Sequence, residues 1–352
     1  MIKKIKNISK YIINSESALR IGMKRLDKVS DKKKQFLIIV DNSNKLLGTL
    51  TDGDIRRAIL AGMLLEDKII NAGNLSPIFG NINEDEKNSK LLKELSVEAA
   101  FLPVIDRNHI VKEILISKFY SLRKVDVIIM AGGFGKRLGS KTKNTPKPLL
   151  EVKGKPILDS ILEKVHSSVS IENIYISVHY LSNKIIKHIE KKKYNTSIEF
   201  INESLPLGTA GSLALVPNNG RPLLVLNADL ITNLDLDIFI NFHFESNNNM
   251  TIAASKYVFE VPFGVIEYDS SGSFVRLNEK PKINNFISAG MYILDETYRN
   301  IIKKNEFMDM PDVVDKFKSL GKKVAVFPLH EEWRDIGRPV DLEIAQNNRK
   351  GK

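Results

Sequence analysis

The sequence predicts an α/β protein in two parts, a smaller α+β unit followed by a doubly wound mixed sheet. Three observations predict it. A weak internal repeat occupies the first third of the chain. From Val125 onward short apolar runs alternate with helical patterns, as in a parallel sheet covered by helices on both faces. The later stretch Thr251–Leu294 reads as several strands divided by Pro and Gly, an antiparallel extension of that sheet. A length of 352 residues supports two domains. We place them at 1–122, with repeats of about 1–65 and 66–122, and at 123–352.

In the first unit, Phe36-Leu-Ile-Ile-Val-Asp41 precedes Lys45-Leu-Leu-Gly-Thr-Leu50, and Phe101-Leu-Pro-Val-Ile-Asp106 precedes His109-Ile-Val-Lys-Glu-Ile114. Each copy is an apolar strand, a polar turn opened by Asp, and a second strand, which is a hairpin pattern. A helical segment lies upstream of each, Ser17–Leu26 and Ser89–Leu95, and one follows the first copy at Asp54–Ala61. Neither copy can bury its apolar face alone, so the two should pack together. The boundary is expected at Phe119–Lys124. In the second unit the strands are expected at Val125–Met130, Ile174–Val178, Ser197–Ile201 and Leu223–Leu226. The helices between them are expected at Ile157–His166, Ser182–Lys191 and Thr209–Leu215.

Composition removes several classes of function. With no cysteine, disulfide frameworks, thiolate zinc sites and cysteine nucleophiles are excluded. The basic start, Met1 to Ser15, lacks the apolar stretch of a signal peptide. The runs Phe36–Val40 and Val127–Ala131 are far too short to span a bilayer. A cytoplasmic protein without a membrane partner is expected. The net charge of +11 is spread among alternating acids and lysines, and Lys32–Lys34 and Lys191–Lys193 lack interleaved aromatics. They read as solvated surface, so no nucleic-acid partner is expected. Polyanionic small molecules remain.

The chemistry concentrates in Val127-Ile-Ile-Met-Ala131-Gly132-Gly133-Phe-Gly135-Lys136-Arg137-Leu-Gly139. A buried strand enters a glycine turn and a basic pair follows. Such a turn lets backbone N–H groups close around phosphate oxygens, and Arg137 supplies a planar fork beside it. It is not a P-loop, because Arg137 stands where Ser or Thr is needed after Gly135-Lys136. The dinucleotide fingerprint fails too, since Leu138 occupies the place of its last glycine. Downstream, Thr145-Pro-Lys147-Pro-Leu149 brackets one lysine with prolines, which should hold it on a stiff, extended segment near the loop. No Gly-x-Ser-x-Gly elbow is present, and the six histidines show no ligand-like spacing.

Together the two segments match the pattern Ala-Gly-Gly-x-Gly-x-Arg-Leu … Pro-Lys-Pro-Leu, and the chain resembles the sugar nucleotidyltransferases. One departure is Lys136, where many members carry Thr. The resemblance implies a Rossmann-like fold of the nucleotide-diphospho-sugar transferase type. It implies in-line transfer of a nucleoside monophosphate to a sugar 1-phosphate, with Mg2+ as cofactor. By position, Ala131, Gly132, Gly133, Gly135, Glu203, Gly208 and Thr209 would bind the nucleoside triphosphate. Arg137, Lys147 and Lys280 would neutralise phosphates. Asp229, which ends the apolar strand Leu224-Val-Leu-Asn-Ala-Asp229, and Asp335, in Glu332-Trp333-Arg-Asp335-Ile-Gly337, would hold the magnesium. Arg338 stands where Thr is usual in that segment. Glu279, Gly264 and Gly290 would contact the sugar, Gly290 in a turn. Trp333 reads as ordinary core packing.

The loop Leu207-Gly208-Thr-Ala-Gly211 resembles the base-reading loop of guanylyltransferases and tilts the nucleotide towards GTP, with glycine letting a flat base lie on backbone. The repeat in the first unit resembles a tandem cystathionine-β-synthase-type (CBS) module, most clearly at Gly48-Thr-Leu-Thr51-Asp52-Gly53-Asp54-Ile55. That likeness implies a regulatory nucleotide, with Asp54 on ribose and Thr51 near phosphate. Lys118 stands where the second repeat would need its Asp. A helix N-cap is the competing reading of Asp54. Such modules associate in pairs, so a homo-oligomer is expected. Their fusion to such transferases in surface-sugar pathways points to glucosamine 1-phosphate as acceptor. Two other functions stay open: a nucleotide sensor with a vestigial transferase fold, and a transferase acting on a non-sugar phosphate.

Overall fold

The computed structural model describes residues 2–29, 35–95, 101–117, 123–192, 194 and 197–347. Lys32–Lys34, Lys118, Lys193 and most of the Phe119–Lys124 boundary lie outside the described residues. The chain divides into two compact units, residues 1–123 and 124–352. Among the described residues no helix is long and apolar enough to cross a membrane.

The first unit is built twice over. The antiparallel hairpin Phe36–Val40/Leu46–Thr51 is extended by Ile12–Asn14, parallel to its first strand. The hairpin Phe101–Ile105/Val111–Ser117 is extended by Gly80–Asn81, again parallel to its first strand, and by Ile2–Ile5 on the far edge. The helices Leu19–Lys28 and Asp85–Glu94 precede the hairpins. The turns are built alike. Asp41 accepts from the N–H groups of Ser43 and Lys45, and Asp106 from those of Asn108 and Ile110. The turns also pair with each other, through Leu46 N–H to His109 C=O at 2.9 Å. One apolar cluster draws Leu37, Ile39 and Leu50 from the first copy and Ile105, Ile114 and Ile116 from the second, and the Phe36 and Phe101 rings stack at 3.8 Å. The two faces that neither copy could bury alone therefore bury each other.

The helix after the first hairpin spans Asp52–Leu60, two residues earlier than expected. Thr51 is its N-cap, and Thr51 and Asp54 form a reciprocal capping box. The helix before the second hairpin also starts early, because Asp85 and Glu86 suit its positively charged first turn.

The second unit contains a seven-stranded sheet. In spatial order its strands are Ile198–Asn202, Ile171–Val178, Val125–Met130, Leu223–Asn227, Lys282–Leu294, Met250–Glu260 and Val324–Leu329. The first four are parallel, Lys282–Leu294 runs antiparallel to its two neighbours, and Val324–Leu329 is parallel to Met250–Glu260. The expected mixed sheet with an antiparallel extension is what forms. Val127 and Ile129 face one apolar cluster and Ile128 the other, as alternate residues of a strand must. Both faces being covered explains the unbroken apolar run. The helices Ile157–Ser167, Ser182–Lys192 and Leu236–Glu245 cover one face, and Met310–Ser319 covers the other.

The helix expected at Thr209–Leu215 is reduced to a short 3-10 turn at Gly211–Leu215. Thr209 is instead tied to Asp309, which accepts from its N–H at 2.9 Å and its hydroxyl at 3.0 Å. Lys147 itself is not extended but opens a 3-10 turn, Lys147–Leu149, with extended residues Pro146 and Leu150 on either side. Gly290 lies within the strand Lys282–Leu294 and not in a turn.

Candidate active site

A cleft of about 460 Å3 opens where the strands Val125–Met130 and Leu223–Asn227 end, the place where open α/β sheets gather ligands. The glycine turn forms its floor. Gly135 has φ +64° and Gly139 φ +60°, in the left-handed region that glycine tolerates. The Thr142 hydroxyl donates to Gly135 C=O at 3.0 Å and to Gly139 C=O at 3.2 Å, which fixes the turn. Nothing would meet a Cβ on Gly133, so that backbone stands open to the cleft.

Lys147 is the centre of the site. Its side chain is 11% exposed, and its Nζ donates to Asp229 Oδ2 and stands 3.8 Å from Asp335 Oδ1. The two carboxylates meet because Leu230–Thr232 and Trp333–Asp335 form a small antiparallel ladder pairing Leu230 with Asp335. Ile336 N–H donates to Asp229 C=O at 3.1 Å and closes its end. Burial and the neighbouring Asp229 charge push the Asp335 carboxyl up to about 6, against the opposing pull of Lys147 and Arg137. Arg137 reaches the same corner, with one guanidinium nitrogen 3.5 Å from where a Gly337 Cβ would stand. The sequence-predicted Arg137, Lys147, Asp229 and Asp335 thus converge.

Glu203 braces the floor. It accepts from the Ser177 hydroxyl through Oε1 and from Leu207 N–H through Oε2, and a Cβ on Gly132 would lie 2.8 Å from its Oε1. Ala131, Gly132, Gly133 and Gly135 line the cleft with Glu203, Gly208 and Thr209. The glycines of the Leu207–Gly211 loop lie tight against another stretch of backbone. A Cβ on Gly208 would lie 2.5 Å from Met308 C=O, and one on Gly211 2.5 Å from Glu306 C=O. They admit the backbone of 306–309, which is laced on by Ala210 N–H to Met308 C=O and Met308 N–H to Leu207 C=O. That docking turns Phe307, 63% exposed, into a wall of the cleft. Phe134 lines the cleft too, against His179 and Tyr180. Sequence reasoning missed Phe307, whose placement depends on a contact distant in the chain. The one available signal was the helix start Asp309-Met-Pro-Asp312 just after it.

Gly264, Glu279, Lys280 and Gly290 are not among the residues that line this cleft, although Gly290 touches one that does. Gly264 and Glu279 face each other, a Cβ on Gly264 falling 3.0 Å from Glu279 Oε2. Lys280 follows with φ +45°. Among the described residues no hydrogen bond or ion pair joins Glu279 or Lys280 to Lys147, Asp229 or Asp335. Gly290, φ +69°, abuts Asn227 so closely that a Cβ would lie 2.5 Å from its amide nitrogen. Trp333 is half-buried against the core and donates to Ala289 C=O at 2.9 Å. In the first unit Asp54 is the third residue of its helix and not the N-cap. Its Oδ2 accepts from Thr51 N–H and hydroxyl, and its Oδ1 from Arg57 at 2.7 Å.

Residues 126–350 match the family model described as nucleotidyl transferase. The chain is 32% identical over 225 residues to the bifunctional protein GlmU of Methanocaldococcus jannaschii, covering 62% of this chain and 52% of that protein. It is 32% identical over 230 residues to the mannose-1-phosphate guanylyltransferase catalytic subunit beta of Drosophila melanogaster, covering 61% and 60%. The chain thus spans a little over half the length of these curated relatives. The crystal structure of HddC from Yersinia pseudotuberculosis superposes over 64% of this chain and all of its own, with a TM-score of 0.50 and 26% identity.

Proposed function

The chain belongs to the nucleotidyl transferase family, and from that premise we propose that it transfers a nucleoside monophosphate, from GTP first, to a sugar 1-phosphate with release of pyrophosphate. The observation that carries the reading is Lys147, a largely enclosed cation between Asp229 and Asp335 at the rim of a glycine turn. The acceptor phosphate is already anionic, so no protein nucleophile is needed. One of its oxygens attacks the α-phosphorus, the bond to the β-bridging oxygen breaks, and the electron pair leaves with pyrophosphate. Two anions must approach, so charge neutralisation and alignment supply most of the rate. The glycine turn and Arg137 would hold the β- and γ-phosphates. Lys147 would move from Asp229 to the α-phosphate, and Lys280 would meet the sugar phosphate beside Glu279, Gly264 and Gly290.

The donor set fits Mg2+. Asp229 Oδ1 and Asp335 Oδ1 are buried and accept no hydrogen bond among the described residues, and burial, then repulsion from Asp229, raises Asp335. Two such carboxylates beside a triphosphate suit a hard divalent cation. Bound there, it would offset phosphate charge.

Support for GTP comes from the Leu207–Gly211 loop and from the guanylyltransferase name of one relative. Glucosamine 1-phosphate is the first acceptor to try. A nucleotide at Thr51 and Asp54 would regulate the enzyme by displacing Arg57 from Asp54, with the first unit acting as a CBS module. The deciding experiment is pyrophosphate release with Mg2+, five nucleoside triphosphates and a panel of sugar 1-phosphates. Release with GTP and one sugar supports the full reading. Release with another nucleotide overturns the base assignment alone. Nucleotide binding without release for any acceptor in the panel overturns the sugar 1-phosphate reading in favour of a non-sugar phosphate acceptor or a sensor.

A further inference from the structure

The strands Met250–Glu260 and Lys282–Leu294 continue past the sheet that holds them. Met250–Glu260 loses its outer neighbour after Ser255 pairs with Leu329, and Lys282–Leu294 pairs with Leu223–Leu226 only from Met291 onward. From Lys256 to Glu260 and from Lys282 to Gly290 the two strands form an arm paired only with each other among the described residues. Most large apolar side chains between Tyr257 and Ile287 are exposed, from 36% at Ile287 to 72% at Phe263 and Tyr268. A water-facing apolar arm with open strand edges invites another strand.

The two edges differ. Lys282-Ile-Asn-Asn-Phe-Ile-Ser carries a cation and no acid. Lys256-Tyr-Val-Phe-Glu260 is self-complementary when read against its own reverse. Antiparallel pairing about Val258 sets Lys256 opposite Glu260, Tyr257 opposite Phe259, and Val258 opposite itself. Neither Lys256 nor Glu260 has an ion-pair partner among the described residues. Residues directly opposite share a face, so one face gains two ion pairs and the other two aromatic pairs. A one-residue slip loses both sets.

We propose that the arm docks a second copy of this chain, with the Lys256–Glu260 edges of two protomers pairing antiparallel about a two-fold axis through Val258. A closed two-fold contact of this kind consumes the edge and ends at a dimer. The proposal is independent of the reaction catalysed.

Sedimentation equilibrium on the full chain tests it. The wild type is expected to be a dimer at micromolar concentration. Lys256→Glu sets like charges opposite each other twice and should weaken the dimer about tenfold or more. Glu260→Lys should do the same. The double variant K256E/E260K restores both pairs in reversed order and should recover most of the affinity, an outcome that misfolding cannot imitate. Far-ultraviolet circular dichroism of each variant monitors the fold. A monomeric wild type, a dimer indifferent to both single substitutions, or a double variant as weak as the singles would each overturn the proposal.

Discussion

Lys147 holds two carboxylates together that would otherwise repel, and it must also release them to a phosphate. Lys147→Ala therefore removes a transition-state charge and leaves Asp229 and Asp335 facing each other without their cation. We expect turnover to fall by about 10²–10³-fold, measured as pyrophosphate release with GTP and the acceptor found in the panel. Lys147→Arg should rescue little, because a planar fork does not replace a compact ammonium between two carboxylates. Near-wild-type turnover of a folded K147A protein would remove Lys147 from the chemistry. Gly208 makes a different demand. Its φ is +78° and its missing Cβ would stand 2.5 Å from a backbone oxygen that is itself laced in place. Gly208→Ala should cost about 1–3 kcal/mol in urea unfolding and raise KM for the nucleotide. An unchanged KM would mean that the docked 306–309 segment does not shape the nucleotide pocket.

At the scale of elements, the Leu207–Gly211 loop and the helix Met310–Ser319 are one construction. Asp309 accepts from Thr209, closes a capping box with Asp312, and so starts the helix while anchoring the loop. Asp309→Ala should destabilise the protein by about 1–2 kcal/mol through the lost cap and raise KM for the nucleotide with a smaller change in kcat. Thermal melting and steady-state kinetics measure the two effects. The helices Ile157–Ser167 and Ser182–Lys192 are joined through Asp159, which is 2% exposed and meets His188 at 2.7 Å, Lys192, and Tyr194 at 3.3 Å. Burial raises its carboxyl, but the bonds from Lys192 and His188 outweigh that and hold it below 3.8. The folded value lies below the unfolded one, so this stabilisation is present at neutral pH and is lost as pH falls through the folded value. The Tm gap between wild type and Asp159→Asn should accordingly be widest near neutrality and close below about pH 4. A gap constant with pH would assign Asp159 a packing role only.

These elements also show what a sequence can disclose. The hairpin repeat was legible because its apolar runs and its Asp-led turns are local, and the structure repeats both turns bond for bond. Arg137, Lys147 and the phosphate turn were legible because loop and lysine lie close in the chain. The helix expected at Thr209 was not formed, because its glycines answer to Met308 and Glu306, which no local pattern reveals. Phe307 was missed for the same reason. The arm was legible as strands, but an open edge is a property of which neighbour stops where, and that is settled only by the full sheet.

For the whole molecule, the buried apolar clusters decide how it should unfold. Four clusters are present among the described residues, two in each unit. The Val127 and Ile128 clusters belong to the transferase sheet, and the Ile38 and Leu102 clusters to the repeated hairpins. Cooperativity follows shared burial, so two separate cores should melt as two transitions in calorimetry. A ligand that binds only one folded unit stabilises that unit by mass action and leaves the other in place. GTP with Mg2+ should therefore raise one melting temperature while the other stays fixed, and Lys147→Ala should abolish the rise without merging the transitions. AMP, ADP or GDP at the Thr51–Asp54 turn should move the second transition, and Asp54→Ala should stop it. A single transition that shifts with either ligand would show that the units unfold as one body.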